Sequence, residues 1–146
     1  MMKPNALKIS ALLSMATVLA CGGDTTAPNP LAATYYPSQW TTTGTSGQTN
    51  QLLAGSVLGL TLNSDGTTSG HLHVAAQGGD PAFDADLGGS WTREGNTVTF
   101  DQSADTFMND MPFTVVPEGS TWALAGDHVF DGVRIQLTLS QGIRID

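Results

Sequence analysis

Between residues 57 and 139 the apolar positions recur at every second residue in short runs, and turn-forming residues separate each run from the next. That period puts alternate side chains on opposite faces of a strand, so the pattern predicts antiparallel strands with one buried face. In Val57–Leu62 the residues Leu58, Leu60 and Leu62 share a face, and Asn63-Ser64-Asp65-Gly66 follows before Leu72 and Val74 resume the inward set. Asp-Gly supplies the positive φ angles of a tight hairpin turn, so these two runs pair. A second hairpin joins Ser90-Trp91-Thr92 to Thr97-Val98-Thr99-Phe100 through Arg93-Glu94-Gly95-Asn96, with Val98 and Phe100 on one face. A third joins residues 113–116 to residues 121–125 across Pro117-Glu118-Gly119-Ser120. The last run is the most regular: Val133, Ile135, Leu137 and Leu139 alternate with Arg134, Gln136, Thr138 and Ser140, which predicts a strand with one wet face. Residues 34–42 form an earlier aromatic strand around Tyr35, Tyr36 and Trp40, interrupted at Pro37. No stretch carries the stripe of an amphipathic helix. The expected fold is all-β, either an antiparallel up-and-down barrel of about eight strands or a two-sheet sandwich, and pairing between the first and last strands would decide for the barrel.

Within this pattern, Leu60-Thr61-Leu62-Asn63-Ser64-Asp65-Gly66-Thr67, then Gly89-Ser90-Trp91 and Gly95-Asn96-Thr97-Val98, resemble the small lipocalin-like domains of bacterial lipoproteins. The resemblance covers residues 58–100 and implies the barrel. Lipocalins carry their Gly-x-Trp on the first strand, whereas here it lies in mid-chain, so their ligand chemistry does not carry over.

The first twenty residues have a different layout. Lys3 and Lys8 give a positive n-region, and residues 9–19 form an apolar run broken only by Ser10, Ser14 and Thr17. That run is far shorter than the roughly 20 residues needed to span a bilayer. It ends in Val18-Leu19-Ala20-Cys21, which resembles the lipobox of bacterial lipoproteins. The resemblance implies export, cleavage before Cys21, diacylation of its thiol and attachment to the cell envelope, with Gly22 in the next position favouring the outer membrane over the inner. The chain therefore divides into a signal peptide (1–20), a Gly- and Pro-containing tether (21–30) and a β domain (31–146) of about 115 residues, enough for one core.

Charge narrows the partners. Thirteen acidic residues stand against five basic ones, a formal balance of −8, and both lysines lie in the signal. The remaining cations are Arg93, Arg134 and Arg144, which argues against binding nucleic acid or anionic headgroups by electrostatics. The lipid is then the expected link to the membrane, a small apolar ligand or an envelope protein the expected partner, and a monomer the expected state. Cys21 is the single cysteine, so no disulfide framework exists and packing alone must hold the domain.

Candidate chemistry is sparse. His71 and His73 lie at i and i+2 of one strand and project to one face about 7 Å apart, half of a zinc or copper site. A third ligand is expected from His128, Asp127 or Asp131 before the last strand; the competing expectation is a pair of outward-facing histidines without metal. The acids Asp80, Asp84, Asp86, Asp101, Asp105 and Asp110 lack the spacing of a calcium loop and read as solvated loops. Phe107, Met108 and Met111 are the candidate lid of an apolar ligand site over one barrel end and equally the material of a capped core, while Trp40, Trp91 and Trp122 are expected first as core packing, with a ligand cavity lined by them as the alternative. No serine sits in a Gly-x-Ser-x-Gly elbow, and no cofactor motif occurs, so the chain reads as a non-enzymatic binding protein without a cofactor.

Overall fold

The computed structural model describes residues 30–142 and shows a closed antiparallel β-barrel. The expected signal peptide, the expected lipobox with Cys21 and the expected tether up to residue 29 lie outside the described residues, as do residues 143–146. Ten strands run in chain order: β1 Thr34–Gly44, β2 Gly47–Asn50, β3 Val57–Leu62, β4 Thr67–Val74, β5 Phe83–Asp86, β6 Gly89–Glu94, β7 Thr97–Gln102, β8 Phe113–Glu118, β9 Thr121–Phe130 and β10 Val133–Gln141. A single helical turn, α1 Phe107–Asp110, sits between β7 and β8. Eight strands close the ring in the order β1-β3-β4-β6-β7-β8-β9-β10, with β10 returning to β1 from Tyr35↔Gln141 to Thr43↔Arg134. This is the lipocalin-like barrel expected, and the β1–β10 ladder excludes two unconnected sheets. Strand β2 doubles back on the end of β1, and β5 continues into β6 after a break at Leu87-Gly88, so β4 pairs first with one and then with the other.

Three steps in the ring are short: β4 meets β6 only at Thr67↔Ser90 and Thr68↔Gly89, where β5 extends the ladder, and two others, the seams of the barrel, have no such extension. β1 meets β3 only at Thr34↔Thr61 and Tyr35↔Leu60, and β7 meets β8 only at Thr97↔Thr114 and Val98↔Phe113. They lie opposite each other and divide the barrel into two four-stranded plates, β8-β9-β10-β1 and β3-β4-β6-β7. Polar side chains plug the first seam where the ladder stops. Gln51 is buried and donates to Thr42 Oγ1 at 2.7 Å, while its Oε1 accepts from Ser56 Oγ at 2.8 Å and Gln77 Nε2 at 2.7 Å. Helix α1 flanks the second, where Asn109 accepts from the Gln102 amide at 2.9 Å and donates back to the Gln102 carbonyl at 3.2 Å.

The expected hairpins form where the turn chemistry placed them, with the β8–β9 turn shortened to Gly119-Ser120. The inward set of β10 begins one step later than expected: Ile135, Leu137 and Leu139 are buried, whereas Val133 stays exposed at the rim. On β1, Tyr35 and Trp40 are five residues apart and both point inward, because the register shifts between Pro37 and Gln39 and resets the alternation. Leu60, Leu62, Leu72, Leu87, Val98, Phe113, Leu124 and Met108 fill the axis together with these aromatics.

Candidate functional site

The two ends of the barrel differ in kind. At the turn end lie Thr34, the Asn63–Gly66 segment, Gly95-Asn96, Gly119-Ser120 and Gly142. There the buried Trp91 indole donates to the Asn63 carbonyl at 2.9 Å. Tyr35 Oη donates to the Leu31 carbonyl at 2.9 Å and accepts from Gln141 Nε2 at 3.0 Å, which holds the entering chain against the barrel. Burial pushes the Tyr35 phenol above its ordinary range, with the Gln141 bond opposing.

The other end carries α1, the 51–56 loop and the turn between β9 and β10. Thr106 caps α1 by accepting from the Met108 amide at 3.3 Å, and Met108 and Met111 are both buried. Met111 lies against Gly126 of β9, where a Cβ would collide with its sulfur and come within 2.9 Å of Phe113. The Phe107 ring stands 6.1 Å from Trp40, and it lines a cleft of about 250 Å³ together with Phe83, Phe130, Ile135, Asp105 and Thr106. Phe83 and Phe130 reach this cleft from different strands and remain exposed. Beneath this end, Trp40 Nε1 and Gln102 Oε1 are buried without a hydrogen-bond partner among the described residues. A larger concavity of about 690 Å³ opens at the turn end beside Tyr36, Asn63 and Gly142, with Tyr36 as its single aromatic lining residue. The smaller cleft is the one with aromatic side chains converging on it.

The six residues expected to line a ligand site thus separate. Trp40, Met108 and Met111 are buried at the α1 end with the half-buried Phe107, while Trp91 and the half-buried Trp122 lie toward the turn end. Only Phe107 of the six borders the apolar cleft. Phe83, Phe130 and Ile135 join it there; of the three only Ile135 stood on an expected strand, and nothing local in the sequence marked them as neighbours.

The histidines also find other partners than expected. His71 and His73 flank the inward Leu72 and therefore stand on the outer face of β4. His128 shares a face with the buried Leu124 and Gly126 of β9, and three strands separate β9 from β4 in either direction around the ring. The structure therefore does not join His128 to the pair. Asp127 accepts two hydrogen bonds from Arg134, at 2.9 and 2.6 Å, and Arg134 holds its carboxyl below the usual range. Asp131 occupies the β9–β10 turn with φ +51°.

The carboxylate that does meet them comes from β5. His73↔Asp84 and His71↔Asp86 are directly opposite in the β4–β5 ladder. Asp84 Oδ1 lies 2.8 Å from His73 Nδ1 and 3.2 Å from His71 Nε2, and Asp86 Oδ1 lies 3.7 Å from His71 Nδ1. The hydrogen bond from His73 is the main reason the Asp84 carboxyl sits below its ordinary range. Among the described residues no set of three or more His, Cys, Asp and Glu side chains is placed to hold a metal ion, and His71, His73 and Asp84 are joined by hydrogen bonds instead.

Fold and site together define a small lipocalin-like barrel with a filled axis and an apolar cleft at one rim. Neither the family models, nor the curated proteins, nor the solved structures contain a match to this chain.

Proposed function

We propose that this protein is an exported cell-envelope lipoprotein, held by an acylated Cys21, whose barrel takes a small apolar ligand at the α1 end. The observation that carries the ligand is the cleft itself: Phe83, Phe107, Phe130 and Ile135 come from four separate elements and leave about 250 Å³ open to solvent between them. About 150 Å³ suffices for a benzene ring, so there is room for a short acyl chain or a small ring system. The partnerless Trp40 Nε1 and Gln102 Oε1 below the same rim favour a ligand with one polar end, since a buried donor and acceptor each gain from a partner. The n-region, apolar run and lipobox pattern of residues 1–21, with no lysine beyond them, support the lipid as the membrane link.

Titration with the fluorescent apolar probe N-phenyl-1-naphthylamine tests the cleft. Saturable binding is expected, weakened at least tenfold by Phe83→Asp combined with Phe130→Asp and unchanged by Tyr36→Ser in the larger concavity. Equal binding by the double variant would remove the cleft from consideration. Palmitate labelling of cells producing the protein tests the anchor: the label should vanish with Cys21→Ser, and equal labelling of both forms overturns it.

A further inference from the structure

Three phenylalanines and one carboxylate border the cleft at the α1 rim. Phe83 enters from β5, Phe107 from α1 and Phe130 from β9, and Asp105 lines the same opening just before the helical turn. The Asp105 side chain is exposed, and no hydrogen bond or ion pair among the described residues engages its carboxylate. Arginine does not answer it: Arg134 is paired with Asp127 at 2.9 and 2.6 Å, and Arg93 donates to the Gly95 carbonyl at 2.8 Å, at the turn end of the barrel. The described residues contain no other arginine and no lysine. Asp131, next to Phe130 in the β9–β10 turn, adds a second negative charge to the rim. Apolar walls beside an unmatched carboxylate select the charge of a guest. An anionic guest meets Asp105 without a counter-charge, and a neutral one leaves that charge unused.

We infer that the cleft receives a quaternary ammonium group, the trimethylammonium head of a small organic cation, with Phe83, Phe107 and Phe130 as its walls and Asp105 as its counter-charge. A phenyl ring attracts a cation lying over its face within roughly 6 Å, and the attraction grows as water is excluded. A primary ammonium fits these walls poorly. It gives up hydrogen bonds to water that phenyl rings cannot return, and the nearby Thr106 Oγ1 already accepts from the Met108 amide. A quaternary nitrogen has no N–H to satisfy, and its methyl groups supply apolar surface. It has fewer heavy atoms than a benzene ring, for which about 150 Å³ suffices, so a cleft of about 250 Å³ has room for the head and the start of its alkyl chain. The inference rests on the reading of this cleft as an apolar ligand site and adds a positive charge to that ligand.

The test uses the full chain carrying Cys21→Ser, so that no acyl chain competes for the cleft. Choline and its uncharged carbon isostere, 3,3-dimethylbutanol, are titrated while the amide shifts of Phe83, Thr106 and Phe130 are followed. Choline is expected to bind at least about tenfold more tightly than the isostere. Asp105→Asn should weaken choline about fivefold and leave the isostere unchanged. Phe83→Leu combined with Phe130→Leu keeps apolar walls but removes two rings, and should weaken choline more than the isostere; both positions are exposed, so the barrel is retained. Phosphatidylcholine vesicles distinguish the sources of the head group: co-sedimentation that Asp105→Asn abolishes assigns the site to a lipid head, and choline binding without co-sedimentation assigns it to a soluble cation. Equal affinity for choline and the isostere, choline binding untouched by Asp105→Asn, or no binding of choline or vesicles overturns the inference. N-phenyl-1-naphthylamine then shows how much falls with it. If the probe still saturates, the apolar cleft stands and its ligand is uncharged; if it does not, the reading of the cleft fails as well.

Discussion

The turn end and the α1 end of this barrel close the same eight strands by different means. At the turn end, short hairpins return the chain at once, the entering segment is latched by Tyr35 and Gln141, and the Trp91 indole has its acceptor. At the α1 end a helical turn and irregular chain cover the opening, Trp40 and Gln102 keep buried polar atoms without partners, and Phe83 and Phe130 face water. The difference separates what holds the barrel from what is free to meet something else. An end in which every buried group is matched adds stability and offers no recognition; an end with unmatched groups gives up a little stability and presents them.

The sharpest way to break this comparison is to crowd the α1 end. Gly126→Ala drives a Cβ into Met111 and Phe113 and should destabilise the fold by about 1–3 kcal/mol in urea unfolding. Gly119→Ala at the turn end has open space around it and meets only the strain of φ +60°, costing about 1 kcal/mol. If Gly126→Ala costs no more than Gly119→Ala, Met111 simply moves aside and α1 is not packed into the barrel. A finer cut compares the two indoles. Trp91→Phe removes a hydrogen bond, whereas Trp40→Phe removes an N–H that has no partner, so Trp91→Phe should cost about 1 kcal/mol more. The reverse order would mean that Trp40 Nε1 is satisfied in solution.

The smallest effect is read from pH. The folded state holds the Tyr35 proton more tightly than an exposed phenol, whose ordinary value is 10.0. Its contribution is therefore complete below pH 10 and is lost as pH rises through the higher folded value, since there the unfolded chain has already released the proton. Tyr35→Phe should flatten that alkaline fall and cost about 1 kcal/mol at neutral pH, through the latch to Leu31 and Gln141. An unchanged alkaline arm in the variant would assign the fall to other groups.

The strands that the sequence made plain are those where period-two alternation ends in a glycine turn: β3 with β4, β6 with β7, and β10. Strand β5 was hidden. Phe83-Asp84-Ala85-Asp86 follows Gly78-Gly79 and Pro81, and Asp and Ala are poor strand formers, so the segment reads as a solvated loop until β4 pairs with it. The loss extends to the site, because Asp84 reaches the histidines only through that pairing. One signal was present: His-x-His and Asp-x-Asp share a spacing, and imidazole N–H donors opposite carboxylate acceptors at period two suit facing strands. Strand β9 also runs beyond Ala125, because Gly126 interrupts the hydrophobic pattern in order to admit Met111. The choice between barrel and sandwich was illegible for a geometric reason, since both four-stranded plates exist and only two short seams and the β1–β10 ladder settle their connection.

Those opposed seams give the molecule the mechanics of a clamshell. Within each plate the ladders are longer, apart from the two-pair step between β4 and β6 that β5 extends, whereas two residue pairs alone close each line between the plates. The Gln51, Ser56 and Gln77 side chains then act as a clasp on one line and Asn109 as a clasp on the other. Slow breathing along these lines would admit water, or a guest, to the filled axis while every strand remained intact.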